Sequence, residues 1–171
     1  MEILDLETLT LSVSAIKVNT DLSAEDYHQY YSSWEFAAVH ILTSIPSFQT
    51  KEAIRKKLKL TPARLNEVIT FLADKGLIEE KGNKYLIGKR RIHIGHESTF
   101  IISHHKNWMH QSLGVLSKKN PQNLNFSGVF SISQSDIEKV RKIFFNAIEK
   151  SEKIIAPSPE EEMIYLGLDL N

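Results

Sequence analysis

Between Thr50 and Ile87 the chain is punctuated so closely that short helices and a hairpin are almost the only elements it can form there. Thr50 stands where an N-cap belongs ahead of Lys51 to Leu58, since a threonine oxygen can accept from the unsatisfied N–H groups of a first helical turn. Thr61-Pro62 repeats the signal, with proline at the first helical position, where its fixed φ fits and its missing N–H costs nothing. The helix it opens runs to Lys75 with Leu65, Val68, Ile69 and Leu72 inward at helical spacing, and Gly76 supplies a C-terminal cap. A tight turn around Lys59-Leu60 separates the two helices. Leu77 to Lys81 and Lys84 to Ile87 then flank Gly82-Asn83, the pattern of a hairpin.

Upstream, Ser23 opens a short helix through Tyr31, and Ser32-Ser33-Trp34-Glu35 has the form of a capping box. The helix expected from Ser33 to Ile45 is stopped by Pro46 and carries Ala37, Ala38, Ile41, Leu42 and Ile45 on one stripe. Helices followed by a hairpin in this order predict a winged helix-turn-helix over residues 23–91.

The flanks read differently. Leu9, Leu11 and Val13 alternate with polar residues as in a half-buried strand, within an N-terminal stretch of residues 1–22. In residues 92–171 a helix from about Ser98 to Leu116 would turn Ile101, His105, Trp108, Met109 and Leu113 to one side. Leu124, Phe126, Phe130 and Ile132 alternate next. Ser135-Asp136-Ile137-Glu138 opens a helix to about Ile155, and Ile164, Leu166, Leu168 and Leu170 alternate after Pro157-Ser158-Pro159. Two such strands make a poor sheet alone, so the N-terminal strand is the expected third. The fold expected is therefore α+β: a winged helix-turn-helix flanked by a small three-stranded sheet with a long packing helix.

The net charge is zero, yet residues 50–91 hold twelve Lys/Arg against five Asp/Glu, leaving the remainder with nine against sixteen. A basic segment in a neutral protein can attract a polyanion at short range. Arg64 and Asn66 on the second helix of the turn motif suit base edges or phosphates, with Arg55, Lys56, Lys57, Lys81, Lys84, Arg90 and Arg91 as neighbouring phosphate contacts. Glu67 and Asp74 on the same helix oppose that reading.

Ser33-Trp34-Glu35-Phe36-Ala37-Ala38-Val39, Leu60-Thr61-Pro62, Leu72-Ala73-Asp74-Lys75-Gly76-Leu77-Ile78, His105-Lys106 and Phe130-Ser131-Ile132-Ser133 together give the chain a further likeness. From about Leu22 to Asn171 it resembles an uncharacterised bacterial family, a domain of unknown function in winged-helix, transcriptional-regulator-like proteins abundant in predatory bacteria. The resemblance implies a regulator class and assigns no reaction, cofactor or ligand.

Other chemistry finds little support. With no cysteine there is no disulfide or thiolate site. His93, His96, His104, His105 and His110 lack the spacing that aligns metal ligands on one helix face, and His105 beside Trp108 and Met109 is expected to be a buried, hydrogen-bonded core residue. No glycine-rich phosphate loop, Gly-x-Ser-x-Gly or His-Glu-x-x-His occurs, so neither an enzyme nor a cofactor is expected. There is no run of eighteen apolar residues, and Glu2 and Asp5 stand where a secretion signal would be basic, so a cytoplasmic protein without membrane contact is expected. Ile143, Phe145 and Ile154 lie beside the main apolar stripe of the last helix, which suits either burial on both sides or the homodimer interface for which they are the candidates. The functional expectation is a transcriptional regulator that binds double-stranded DNA as a homodimer. Its rival is a protein-interaction or ligand-sensing module on the same fold, bound to a protein partner.

Overall fold

The computed structural model describes residues 22–92, 98–118 and 120–171. Its elements are α1 (Ala24–Tyr31), α2 (Trp34–Leu42), a 3-10 turn at Pro46–Phe48, α3 (Lys51–Leu58), α4 (Pro62–Asp74), β1 (Ile78–Lys81), β2 (Lys84–Ile87), α5 (Phe100–Leu116) and α6 (Gln134–Ile155). The architecture is α+β and mostly helical, and the sheet among the described residues is a two-stranded antiparallel hairpin.

Local chemistry sets most of the boundaries. Ser23 and Asp26 cap α1 reciprocally, each side chain accepting from the other's backbone N–H at 3.2 and 3.0 Å. α2 ends at Leu42, short of the expected Ile45, because the chain tightens there: the Thr43 hydroxyl donates to the His40 carbonyl at 2.6 Å and Pro46 starts the 3-10 turn. Thr50 and Thr61 cap α3 and α4 by accepting from Ala53 N and Arg64 N. Lys59 turns the chain between those helices in a left-handed conformation, φ 57°.

The hairpin pairs Ile78 with Ile87 and Lys81 with Lys84, leaving Gly82 at φ +63° in the turn. Two backbone bonds, from Leu77 and Tyr85, tie it to the helical body, and a third closes its open end. Leu77 N donates to Leu72 O at 2.9 Å, Gly88 N to Leu77 O at 2.7 Å, and Tyr85 N to Gln49 O at 2.7 Å.

One apolar core fills the space between α1–α4 and the hairpin. Phe36, Val39 and Leu42 of α2 meet Ile54 of α3, Leu65, Val68 and Leu72 of α4, and Leu77, Ile78 and Tyr85 of the hairpin. α2 is apolar on nearly every side because it is the central helix of this body. α5 lies across α1 and α2, joined by the Tyr27–Phe100 ring stack and by Asn107 Nδ2 donating to the Tyr31 carbonyl at 2.9 Å.

Three expectations need correction. Residues around 124–132 and 164–170 form no strand, because alternation makes a strand only where a ladder partner is present and none pairs with them among the described residues. A three-stranded sheet is therefore absent among the described residues; the strand expected at 9–16 lies outside them. The inward face of α5 is also rotated from the one expected. His105 is exposed, and His104 instead packs against Tyr31 and Trp108, with ring centroids at 5.5 and 6.4 Å. Finally, α6 starts at Gln134 with Ser133 as its cap residue, two residues ahead of the expected cap Ser135, and buries no residue among those described.

Candidate nucleic-acid interface

Whether the basic segment forms a binding surface depends on where α3, α4 and the hairpin aim its side chains. α3 and α4 meet around a shallow groove of about 240 Å³ lined by Lys51, Glu52, Arg55, Pro62, Leu65 and Asn66. Arg55 lies along its edge in a two-bond pair with Glu52 at 3.1 and 2.9 Å. Lys51 reaches from the groove towards the hairpin, its Nζ 5.6 Å from the centre of the Tyr85 ring. The sequence reading missed Lys51. Its only signal was its place next to the Thr50 cap, where its register to the hairpin is not visible.

On α4, Asn66, Glu67, Thr70 and Asp74 are exposed. At the hairpin tip Lys81 and Lys84 are exposed and cross-strand partners, with Glu79 3.4 Å from the Lys81 ammonium. Lys56 is exposed on α3. Together α3, the start of α4 and the hairpin hold seven of the twelve Lys/Arg of residues 50–91.

Four expected contacts are engaged elsewhere. Arg64 sits over the Phe36 ring at 5.3 Å, donates to Ser33 Oγ at 2.7 Å, pairs with Glu67 at 2.7 Å, and lies 3.5 Å from the Glu35 carboxylate. It clamps the start of α4 to the start of α2. Burial pushes the Glu35 carboxyl up, but hydrogen bonds from Ser33 and its own backbone, together with Arg64, outweigh burial and hold it below the usual range. Burial pulls the Arg64 guanidinium down, yet Glu67 and Glu35 more than compensate. Lys57 pairs with Glu162 and lies over the Phe48 ring at 5.0 Å. Arg90 runs beside Gly76, and Arg91 donates to the Gly88 carbonyl at 2.7 Å, so both brace the chain leaving the hairpin.

The histidines gather no metal site: among the described residues no three His, Cys, Asp or Glu side chains converge to hold an ion, and His93 and His96 lie outside those residues. Burial, then the neighbouring His105, pushes the His104 ring below the usual histidine range. No helix among the described residues is long and apolar enough to cross a membrane.

A helical body with one hairpin and a groove between two of its helices defines a small α+β domain. The chain belongs to the family described as Domain of unknown function (DUF4423), whose model matches residues 13–170. No curated protein and no solved structure matches it.

Proposed function

We propose that residues 23–91 act as a winged helix-turn-helix that binds double-stranded DNA, and that the chain is a transcriptional regulator working as a homodimer. The observation that carries this is the placement of Lys51, Arg55 and Asn66 around the groove between α3 and α4, with Lys51 reaching the Tyr85 ring of the hairpin whose tip carries Lys81 and Lys84. In that arrangement α4 enters the major groove while α3 and the hairpin hold phosphates on either side. Asn66 and Thr70 then face the base edges. Lys51, Arg55, Lys56, Lys81 and Lys84 supply the phosphate contacts. Arg64 keeps α4 in place and would reach DNA only by leaving its clamp.

A second reading rests on Glu67 and Asp74, whose carboxylates share the exposed face of α4 and would meet a polyanion at a cost. With that face turned to a basic protein partner, the same body becomes an interaction module without DNA. Anisotropy with labelled genomic fragments separates the two. Binding that strengthens as salt falls, weakened alike on every sequence by Lys56→Ala or Lys84→Ala, supports the DNA reading. No duplex bound above background at low salt by the folded protein rejects it.

A further inference from the structure

Residues 162–165 carry the C-terminal end of the chain back onto the body. Among the described residues beyond Leu116, Met163 alone packs against the core, and α6 buries no residue. The neighbours of Met163 hold it there. Glu162 pairs with Lys57 of α3, and the same carboxylate oxygen accepts from the Met163 backbone N–H at 3.2 Å. Tyr165 stacks on Trp108 of α5, with ring centroids 5.2 Å and planes 12° apart. These contacts form a clasp that closes the long excursion from Ser117 to Glu161 onto α3 and α5.

The clasp brings acids to a basic helix. Glu160 and Glu161, both exposed, lead directly into Glu162, while Lys57 lies between the exposed Lys56 and Lys59 at the end of α3. Lys57, and then the Met163 N–H, hold the Glu162 carboxyl below the usual carboxylate range, so it is an anion while the clasp is closed. A phosphate chain following Lys56 along α3 would meet Lys57 already occupied and two further carboxylates beside it.

Magnitudes decide whether such a contact is a permanent brace or a releasable one. The Lys57 and Glu162 side chains are 32% and 59% exposed, and an exposed pair gains little over its hydrated parts. A ring stack and a partly buried methionine each add a factor of several, and the entropy of closing the excursion opposes all three. Closed and open forms then differ by about tenfold, a ratio that a competitor for Lys57 can reverse.

We propose that residues 160–165 are an autoinhibitory clasp: Glu162 occupies Lys57 as an internal anion, so a polyanion running along α3 must displace it, releasing Met163 and Tyr165 as well. With α3 read as a phosphate-contacting helix, as in the proposed function on which this rests, Lys57 joins Lys51, Arg55 and Lys56 only in the open form. By linkage, the clasp weakens polyanion binding by the same factor as the polyanion weakens the clasp.

Because the chain has no native cysteine, Met163→Cys in the full chain reports the clasp by its rate of thiol labelling. At low salt it should label about 10-fold more slowly than Ser158→Cys in the exposed connector. Inorganic polyphosphate, added at constant ionic strength, should bring the two rates together. A second measurement leaves residue 163 unaltered. Tyr165→Ala, which changes no charge, should bind polyphosphate about 10-fold more tightly than the wild type, because the open form is then no longer a minor one. Glu162→Gln should tighten binding more than Glu161→Gln, which makes the same change of charge outside the pair. A slow Met163→Cys rate that polyphosphate leaves unchanged, or a polyphosphate affinity that Tyr165→Ala does not raise, overturns the clasp. Opening by polyphosphate with no duplex bound would remove the DNA reading and leave the clasp standing. Duplex binding that strengthens as salt falls, with Tyr165→Ala altering the affinity for neither polyanion, would do the reverse.

Discussion

His40 sits inside the body on α2, its Nδ1 3.0 Å from the Tyr30 hydroxyl and its Nε2 buried. Burial pushes the imidazole down to about 4, with the Leu77 backbone opposing and Arg91 assisting. Since this value lies below the ~6.5 of an unfolded chain, the unfolded state takes up a proton that the folded state refuses as pH drops through this window. Stability is therefore full above pH ~6.5, declines towards pH 4, and by then has lost about 3 kcal/mol to this one residue. Urea midpoints measured from pH 7 to pH 4.5 should fall, and His40→Gln should flatten the slope; an unchanged slope would assign the loss to other groups. Arg64 makes the complementary case. Arg64→Ala strands the mostly buried Glu35 and should cost about 1 to 2 kcal/mol in thermal unfolding, with Arg64→Lys a poor rescue because one ammonium cannot reach Ser33, Glu35 and Glu67 at once. From sequence, Arg64 was legible only as a cation on the α4 surface. That α2 delivers Ser33 and Glu35 to it depends on how two helices cross, and neither helix's own pattern records that.

Gly88 and Lys59 are backbone positions that decide how whole elements meet. A Cβ on Gly88 would lie 2.2 Å from the Gly76 carbonyl oxygen, where the end of the hairpin crosses the turn that begins it. Gly88→Ala must push those two backbones apart and should destabilise by at least about 2 kcal/mol, with amide exchange quickening first in β1 and β2. Lys59, in contrast, holds a left-handed conformation with a Cβ it does not need, so Lys59→Gly should raise stability by up to about 1 kcal/mol, read as a higher melting temperature. These elements are also where the sequence was most legible. Thr50, Thr61-Pro62, Gly76 and Gly82 are local signals acting on their own neighbours, so α3, α4 and the hairpin appear where they point. The alternating runs at 124–132 and 164–170 were misread for the opposite reason. Period-2 alternation records which side is apolar, while a strand also needs a ladder partner, and nothing in the alternation names one. On α5 apolar residues border the stripe on both sides, so its period was visible but the side turned to α1 was not.

At the scale of the molecule, charge and apolar surface are unevenly spread: a basic segment on α3, α4 and the hairpin, and an acidic remainder that carries nearly all the exposed large apolar side chains among the described residues. If the chain works as the proposed homodimer, paired through the candidate residues Ile143 and Ile154, each dimer presents two of these grooves to one duplex, and the number of phosphates neutralised doubles. That has a measurable consequence. The logarithm of the binding constant falls with the logarithm of salt by about 0.9 for each phosphate neutralised, so a duplex carrying two half-sites should give the wild-type chain about twice the salt slope of the Ile143→Glu, Ile154→Glu variant. On a single half-site the two proteins should have the same slope, since one groove is used in either case. Lys84→Ala at the hairpin tip removes one contact from each subunit and should lower the slope of a dimer by about 1.8 but that of a monomeric variant by about 0.9. Equal slopes on the two-site duplex would show that pairing two chains does not bring two basic faces onto the same DNA.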